Sequence, residues 1–354
     1  MNVLIYVGYQ AKHFNPSTLE DVGLGGTEIA CIQLSKELKR YGHGVVVSGD
    51  VLPGIFDGIE WVSIETCHRE HFDKFNVIIA ASYIHATLEF KNYLRAKLIF
   101  WAHNTDFHPW WRGEEIKEPV RLLNGEHVDR VVCLTKWHKD QWHSTWGTKT
   151  KNIEVIGNGI DTSTFIGEPK KVKNSFIWSS APERGLVDLL KNWQYVLMIK
   201  PDATLNIFSP SYSIDQLDNS SEIKELLEQP GITLRGNVSQ VELHTAMLRS
   251  EYWLYLTDYE ETYCITALEM QYAKVLPIVT NVAALKETVH SGIQLEKHET
   301  NWPETIQLLN TLGSELKLKS IESAYNWSKM QTWSSRGHKW NKLLNELCSL
   351  IKYT

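Results

Sequence analysis

Two glutamates, Glu261 and Glu269, lie with seven residues between them, and this pattern suits the binding of a sugar ligand. A carboxylate can accept hydrogen bonds from a vicinal pair of sugar hydroxyls, so two carboxylates could hold two sugars of one ligand. The intervening amides of Tyr263, Cys264 and Ile265 are suited to an anion such as a diphosphate, if a helix starts there. An acidic first turn that only complements the helix dipole is the structural alternative, and spacing alone leaves both open.

The elements around these glutamates are predicted to be a strand, a loop, a helix and a second strand. The apolar and aromatic run at 252–256 is typical of a buried strand, and so is the run at 275–279. Thr262 is the predicted N-cap of the helix between them. Ligands of open parallel sheets bind at the carboxyl ends of the strands, which is where this loop would lie.

The opening of the chain has the order of a nucleotide-binding half-unit: a strand, a glycine loop, a helix and a second strand. The run at 3–7 is typical of a strand covered on both faces, and a helix is predicted over 29–41. Gly25 and Gly26 between them would let backbone amides approach a phosphate. The pattern G-x-G-x-x-G is not complete, so a tight turn without a ligand is the alternative.

Further strands are predicted across the first half of the chain, with helices between them, at 76–80, 97–101 and 130–134. His103 follows the second of these and would lie at a carboxyl strand end, on the ligand side of the sheet. It could donate to a sugar hydroxyl or to developing charge. A structural histidine is the ordinary alternative.

The polar, basic run at 167–174 predicts a boundary between two domains, 1–166 and 175–332. The α/β alternation restarts after it, with a helix predicted over 186–199 and strands at 175–178, 204–208 and 231–234. Two α/β halves joined by a short linker imply one cleft between them, which is the default ligand site. Arg184, in a loop after the first of these strands, is a candidate for that site.

Composition excludes several classes of protein. The chain has 354 residues, of which 43% are hydrophobic and 22% charged, as in soluble globular proteins. Its formal net charge of -6 argues against a nucleic-acid-binding protein. The five cysteines are scattered and form no C-x-x-C pair, so they indicate neither a disulfide framework nor a Cys-rich zinc site.

Targeting and metal signals are weak. No signal peptide precedes the first strand, so a cytoplasmic location is expected. No apolar segment approaches membrane-spanning length, and peripheral membrane contact through a surface patch stays open. The His- and Cys-containing cluster at 67–71 lacks a second ligand group at a recognised spacing and is rejected as a metal site.

Most tryptophans between 101 and 146 are expected in the core, with Trp110 or Trp111 the exposed pair.

Nearly the whole chain resembles the retaining glycosyltransferases of family 4, which have the two-domain GT-B fold. The most specific motif is the pair Glu261-x7-Glu269, and four other segments carry the resemblance: 25–28, 134–141, 155–161 and 181–186. The resemblance implies an α/β fold of two Rossmann-like parallel-sheet domains facing a cleft. It also implies that a last helix, 333–354, crosses back onto the first domain, in keeping with the helical pattern predicted over 326–351.

The resemblance also implies roles for single residues on the side of the second domain. Glu261 would contact the transferred sugar, Glu269 would hold the donor ribose, and the amides of 263–265 would bind sugar and phosphate. Arg184 would belong to the basic phosphate loop. A backbone contact to the base is implied near Val238.

The first domain would contribute three further residues according to the same resemblance. Gly25 and Gly26 would lie under the donor phosphates, and His103 would contact the donor sugar. The acceptor would bind to loops of this domain, which in this chain are expected within 9–22, 50–72 and 104–120. These loops carry no readable code for the acceptor.

Three departures from the family pattern bear on the donor pocket. The first of two usual phosphate cations falls near Ser179, so one cation is missing or supplied elsewhere, with Arg235 a candidate. Thr262-Tyr263-Cys264 stands where Gly-Phe-Gly is usual, and 283–287 stands where the family often has glycines. These changes are expected to narrow or stiffen the pocket, and they leave the donor open.

The expected function is retaining transfer of a sugar from a nucleotide diphosphate sugar to a hydroxyl of a glycan or glycoconjugate. Arg184 and backbone amides would stabilise the leaving diphosphate. No D-x-D motif is present, so neither a metal nor another cofactor is expected. The alternatives are another GT-B chemistry, such as an epimerase or a phosphorylase, and a non-catalytic protein that binds nucleotide sugars or glycans.

Overall fold

The computed structural model describes residues 1–8, 13–63, 66, 74–82, 95–106, 127–209, 214–215, 220–297 and 301–349. The chain divides into two compact units. Unit 1 comprises Met1–Leu19, Leu24–Gly159 and Thr332–Thr354, and unit 2 comprises Glu20–Gly23 and Ile160–Gln331. Trp110, Trp111, the cluster at 67–71 and parts of the predicted acceptor loops lie outside the described residues.

Unit 1 is built on an eight-stranded sheet in the order β3-β4-β2-β1-β5-β6-β7-β8. Its strands are β1 Asn2–Gly8, β2 Gly44–Gly49, β3 Gly54–Phe56, β4 Ile59–Ser63, β5 Val77–Ala81, β6 Lys97–Trp101, β7 Arg130–Cys133 and β8 Ile153–Val155. All pairs are parallel except β3–β4 at the edge. The central strands are buried along almost their whole length, as continuous apolar runs in parallel sheets require.

Unit 2 is built on a six-stranded, wholly parallel sheet in the order β11-β10-β9-β12-β13-β14. Its strands are β9 Ser175–Trp178, β10 Thr204–Ile207, β11 Ile232–Leu234, β12 Tyr252–Tyr255, β13 Leu276–Thr280 and β14 Ile293–Leu295. Large aromatic side chains fill its core, and Phe176, Trp193 and Tyr252 pack ring against ring.

The helices that the structure describes surround these sheets. They are α1 Thr18–Asp21, α2 Gly26–Arg40, α3 Lys136–Trp146, α4 Leu186–Lys191, α5 Trp193–Ile199, α6 Ser220–Leu227, α7 Gln240–Arg249, α8 Ile265–Tyr272, α9 Leu285–Thr288, α10 Trp302–Thr311, α11 Ser314–Ser328 and α12 Trp333–Ser349. None of them is long and apolar enough to cross a membrane.

Two of the predicted helices are each divided into two helices in the structure, so the predictions of single continuous helices were wrong. The helix predicted over 186–199 is interrupted at Asn192, which ends α4 and precedes α5. The helical pattern predicted over 326–351 is interrupted at 329–332, between α11 and α12. Both amphipathic patterns continue across their breaks, so periodicity alone could not locate them.

The predicted return of the last helix to the first half of the chain is confirmed. α12 packs on α2 within unit 1, where Arg40 Nη2 donates to Ser334 Oγ at 2.7 Å. Gly159 permits the return, because a Cβ there would lie 2.4 Å from the backbone nitrogen of Trp333. Close packing therefore explains why Gly159 of the 155–161 motif is a glycine in this chain.

The close packing of Gly337 in α12 against Glu37 in α2 generates a stability prediction. A Cβ on Gly337 would lie 2.8 Å from Glu37 Cβ, which no side-chain rotation can move. We expect Gly337→Ala to lower the free energy of unfolding by about 1–3 kcal/mol, although Ala is the better helix former. His338→Ala, at an exposed position of the same helix, is the control. Equal urea midpoints for the two variants would contradict this packing.

Candidate functional site

Neighbouring strands of unit 2 bring a cation and a carboxylate together. β9 and β12 are adjacent and parallel, so their following loops leave the same edge of the sheet. Arg184 ends a 3-10 turn, Pro182–Arg184, after β9, and Glu261 lies in the loop after β12. Gly185, with φ 115°, follows Arg184 and reverses the chain into α4.

Glu261 is buried and fully engaged by its neighbours. Arg184 Nη1 donates to Glu261 Oε1 at 2.8 Å and to Oε2 at 3.0 Å. Tyr255 Oη donates to Oε1 at 2.7 Å. The Arg184 guanidinium also lies over the Tyr259 ring, 4.6 Å from its centroid. Glu261 is only 4% exposed, whereas the Arg184 side chain is 33% exposed and can be reached by an anion.

The charges in this cluster are fixed. Burial lowers the pKa of Arg184, but Glu261 and the neighbouring Tyr255, Tyr259 and Cys264 together more than offset it, so the pKa stays above its usual value and Arg184 is a permanent cation. Burial, and then the charge of Glu261, raises the pKa of Tyr255, which therefore keeps its proton and donates it. Arg184 Nε is buried and has no acceptor among the described residues. One N–H of the cation is thus left for a ligand.

The predicted cap of the next helix was wrong. α8 begins at Ile265, and its N-cap is Cys264 rather than Thr262, with no side-chain cap hydrogen bond. Cys264 adopts φ 65°, in the left-handed region that favours glycine, and this turn delays the helix start by two residues. The side chain of Cys264 therefore does not cap α8, whose first amides point to a place that favours an anion.

A second non-glycine residue with positive φ supports the same loop. Ala283 has φ 47°, and the amide of Ala284 donates to the carbonyl of Glu261 at 3.1 Å. Both Cys264 and Ala283 fall where the family pattern commonly has glycine. The backbone path that glycine would favour is thus present here with larger side chains, at a cost of about 1–3 kcal/mol for each residue.

Glu269 lies on α8 and is 6% exposed. Its Oε1 accepts from Gln240 Nε2 at 3.3 Å and lies 3.2 Å from His244 Nε2. Gln240 and His244 are one turn apart on α7, and sequence analysis did not select them. The available signal was their spacing of four on a predicted helix, which is common and carries no functional meaning by itself.

Val238 lies between Asn237 and the start of α7. Ser239 caps α7, and its side chain and that of Glu242 form a capping box that fixes the preceding turn. Asn237 Oδ1 accepts from the amide of Gly23 at 2.9 Å, and Asn237 Nδ2 donates to the Gly23 carbonyl at 3.2 Å. The backbone around the half-buried Val238 is thus held on both sides.

His103 lies in unit 1, two residues after β6, as predicted. Its ring centroid is 4.4 Å from that of Trp101. Burial, and then the neighbouring His138, lowers the pKa of His103 to about 3, so the imidazole is neutral at pH 7. The amide of Leu134 donates to His138 Nδ1, and His138 Nε2 lies 2.8 Å from Trp142 Nε1. Trp142 Nε1 also donates to the carbonyl of Asn104 at 3.2 Å. The loop that carries His103 is fixed by this bond.

The glycine loop also has the predicted position. Gly25 is the N-cap of α2 and Gly26 its first residue, and both are exposed. Because Gly25 has no side chain, the N-cap residue of α2 makes no side-chain cap hydrogen bond. A Cβ on Gly25 would lie 2.5 Å from Glu28 Oε2, and burial raises the pKa of Glu28. The roles of these residues toward a donor stay predictions.

The position of the absent family cation is occupied by Ser179, which is half-buried. Ser179 Oγ is buried without a hydrogen-bond partner in the described ranges. Arg235 Nε donates to Asn206 Oδ1 at 2.8 Å at the exposed edge of the sheet, and its part in phosphate binding stays a prediction. No group of three or more metal-ligating side chains occurs in the part of the chain that the structure describes.

Comparisons with known proteins agree with this architecture. The model of Glycosyltransferase Family 4 matches residues 61–164. The chain is similar to a glycosyltransferase from Rickettsia africae, with 16% identity, a TM-score of 0.75 and 98% of each chain covered. It is also similar to Anabaena HepE, solved with UDP and glucose, at 13% identity and a TM-score of 0.72, covering 98% of this chain and 100% of that one. A search of curated proteins finds no match.

A third similar structure is the sucrose-phosphate synthase of Thermosynechococcus elongatus, at 11% identity and a TM-score of 0.70, covering 99% of this chain and 100% of that one. At such identities the likeness concerns the fold. The predicted fold class, α/β with two parallel sheets of the GT-B type, is confirmed.

The buried, neutral His103 predicts a pH dependence of stability. Its pKa is about 3 in the folded chain, while an unfolded histidine has a pKa near its ordinary 6.5, so the unfolded state takes up a proton first as pH falls. The free energy of unfolding should therefore fall by about 2 kcal/mol between pH 7 and pH 5 from this group alone. His103→Gln should lose this contribution in urea titrations at both pH values.

The control is His338→Gln, which removes an exposed histidine and should keep the pH dependence of the wild type. If the wild-type and His103→Gln stabilities fell in parallel from pH 7 to pH 5, His103 would not be held neutral by burial.

Proposed function

We propose that the chain, whose residues 61–164 match the model of Glycosyltransferase Family 4 and whose fold is of the GT-B type, is a retaining glycosyltransferase that uses a nucleoside diphosphate sugar. The acceptor is a hydroxyl of a glycan or glycoconjugate, and the reaction needs no metal ion. The observation that carries this proposal is the Arg184–Glu261–Tyr255 cluster beside the start of α8, with Glu269 on the same helix.

The leaving diphosphate sets the chemical demand. Its negative charge grows as the bond from the sugar breaks, and preorganised donors aimed at that charge lower the barrier. Arg184 supplies a permanent positive charge and a buried Nε–H without a partner in the described ranges. The first turn of α8 supplies amides and the positive end of its dipole. These groups can do the work that a metal ion does in other transferases.

Glu261 is poorly suited to be a covalent nucleophile. Both of its oxygens accept hydrogen bonds from Arg184 Nη1, and Oε1 also accepts from Tyr255, so its charge is neutralised. In the proposed step the acceptor oxygen forms a bond to the anomeric carbon on the face that the diphosphate leaves. The acceptor proton passes to the leaving phosphate oxygen. Glu261 then orients the transferred sugar by accepting hydrogen bonds from the hydroxyls of the sugar.

The remaining proposed residue roles concern the binding of the ribose, base, phosphates and sugar of the donor. Glu269 holds the ribose, and the backbone at Val238 contacts the base. Gly25 and Gly26 approach the phosphates, and the neutral imidazole of His103 contacts the donor sugar by a hydrogen bond. The similar protein HepE has been solved with UDP-glucose, which supports a nucleotide sugar as the donor class. The proposed compartment is the cytoplasm, in keeping with free thiols at Cys31, Cys133, Cys264 and Cys348.

A metal-free binding screen of UDP-, GDP- and ADP-sugars by calorimetry tests the donor site. We expect one nucleotide to bind selectively, and Glu269→Ala to weaken that binding by tenfold or more because two ribose hydroxyls lose their acceptor. Glu222→Ala removes an exposed glutamate of α6 in the same unit and is the control. If no nucleotide sugar binds to folded protein, the proposal is wrong.

Arg184→Ala should reduce turnover by tens-fold or more, because the diphosphate loses its cation. It should also lower the free energy of unfolding by about 3 kcal/mol, since it leaves Glu261 buried with only Tyr255. Arg184→Lys separates the two effects: it keeps the charge but loses the planar donor geometry, so turnover should stay low while most stability returns. Turnover of Arg184→Ala within twofold of the wild type would remove Arg184 from the mechanism.

A further inference from the structure

A polar network behind Glu269 lies outside the residues assigned so far. His244 is 1% exposed, and its Nε2 lies 2.8 Å from Gln240 Nε2 and 3.2 Å from Glu269 Oε1. Gln240 Nε2 also donates to Glu269 Oε1 at 3.3 Å. Gln240 and His244 thus lie beside the same oxygen of the Glu269 carboxylate. No group among the described residues donates to the other oxygen of Glu269, Oε2.

The opposite side of the His244 ring is anchored to the segment before β9. Thr164 Oγ1 donates its one hydrogen to the carbonyl of Asp161 at 2.9 Å. It must therefore accept from His244 Nδ1, which lies 2.7 Å away. The proton of the neutral ring is therefore on Nδ1. The ring cannot rotate about its Cβ–Cγ bond without breaking this hydrogen bond.

Stacking and capping immobilise the anchor itself. The Phe165 ring stacks on the His244 ring with centroids 3.9 Å apart and planes at 12°. The Asp161 side chain caps the 3-10 turn Thr162–Thr164 by accepting from the amide of Ser163 at 3.0 Å. A buried imidazole held on one edge and one face is a rigid support for whatever its remaining nitrogen contacts.

We infer that His244 is a positioning residue: its Nε2 accepts from one N–H of Gln240 Nε2, whose other N–H donates to Glu269 Oε1, so that Oε2 is presented to the donor ribose. This inference rests on the proposed function, which assigns the ribose to Glu269. A carboxylate with one oxygen fixed and the other open can accept a hydroxyl with little loss of side-chain entropy on binding. His244 itself touches no ligand, and its effect passes through Glu269.

The test compares ribonucleotides with analogues that lack the ribose hydroxyls. UDP, GDP and ADP and their 2′,3′-dideoxy counterparts are titrated into wild type, His244→Phe, His244→Gln and Glu269→Ala by calorimetry. His244→Phe keeps a flat ring against Phe165 and removes both hydrogen bonds. We expect it to weaken the best-binding ribonucleotide by about tenfold and its dideoxy analogue by less than twofold. His244→Gln, which keeps a polar group in reach of Gln240, should recover part of the loss.

Equal losses for both nucleotides in His244→Phe would mean a merely structural role and would overturn the inference, and so would no loss for either. If His244→Phe does not fold, Gln240→Leu breaks the same network from α7 and should show the same selectivity for the ribonucleotide. Glu269→Ala separates the two proposals. A loss in Glu269→Ala that spares the dideoxy analogue supports the ribose role, whatever His244 does. An equal loss there, or no nucleotide binding in the wild type, overturns both.

Discussion

The charge of a buried carboxylate, Glu261, is the constraint on which the rest of unit 2 depends. Removing a carboxylate from water costs several kcal/mol, and only a close cation with good geometry and additional donors offsets that cost. Arg184 and Tyr255 meet the requirement, and they come from the loop after β9 and from β12. The two strands must therefore be neighbours, with both following loops at one edge of the sheet. The ion pair and the strand order thus determine each other.

The second carboxylate is stabilised in a different way, and the difference separates the two roles. Glu269 has an amide and an imidazole beside one oxygen, where Glu261 has a guanidinium bridging both. A carboxylate neutralised on both oxygens suits a position close to a reacting centre, since it neither attacks nor repels the developing phosphate charge. A carboxylate with one open oxygen suits the binding of hydroxyls. The two glutamates of the motif are thus distinguished by the groups that surround each carboxylate and not by residue type.

Much of the fold could be predicted because buried parallel strands are continuous apolar runs, and the ten predicted strands correspond to strands in the structure. Four strands were not predicted: β3, β8 and β14 have three residues each, too few for a clear pattern, and β4 is interrupted by the charged Glu60. The helix break at Asn192 and the cap at Cys264 follow from backbone conformations that periodicity does not encode. Lys171 illustrates the same limit: its ammonium donates to the carbonyls of Ser250 and Ala273 at 2.6 Å, ending α7 and α8, although the sequence there reads as a polar linker.

The positive φ angles of Cys264 and Ala283 show which part of the family pattern this chain retains. Glycine is common at such positions because it adopts positive φ without strain, and replacing it normally moves the backbone. Here the backbone keeps the left-handed turn, so the surrounding packing must outweigh the strain. Burial, and then the charge of Glu261, raises the pKa of the Cys264 thiol, so it stays neutral and adds no charge beside the carboxylate. The substitutions therefore change the volume next to Glu261 and leave its electrostatics intact, so in the proposed function they would restrict the shape of the donor sugar rather than the chemistry of its transfer.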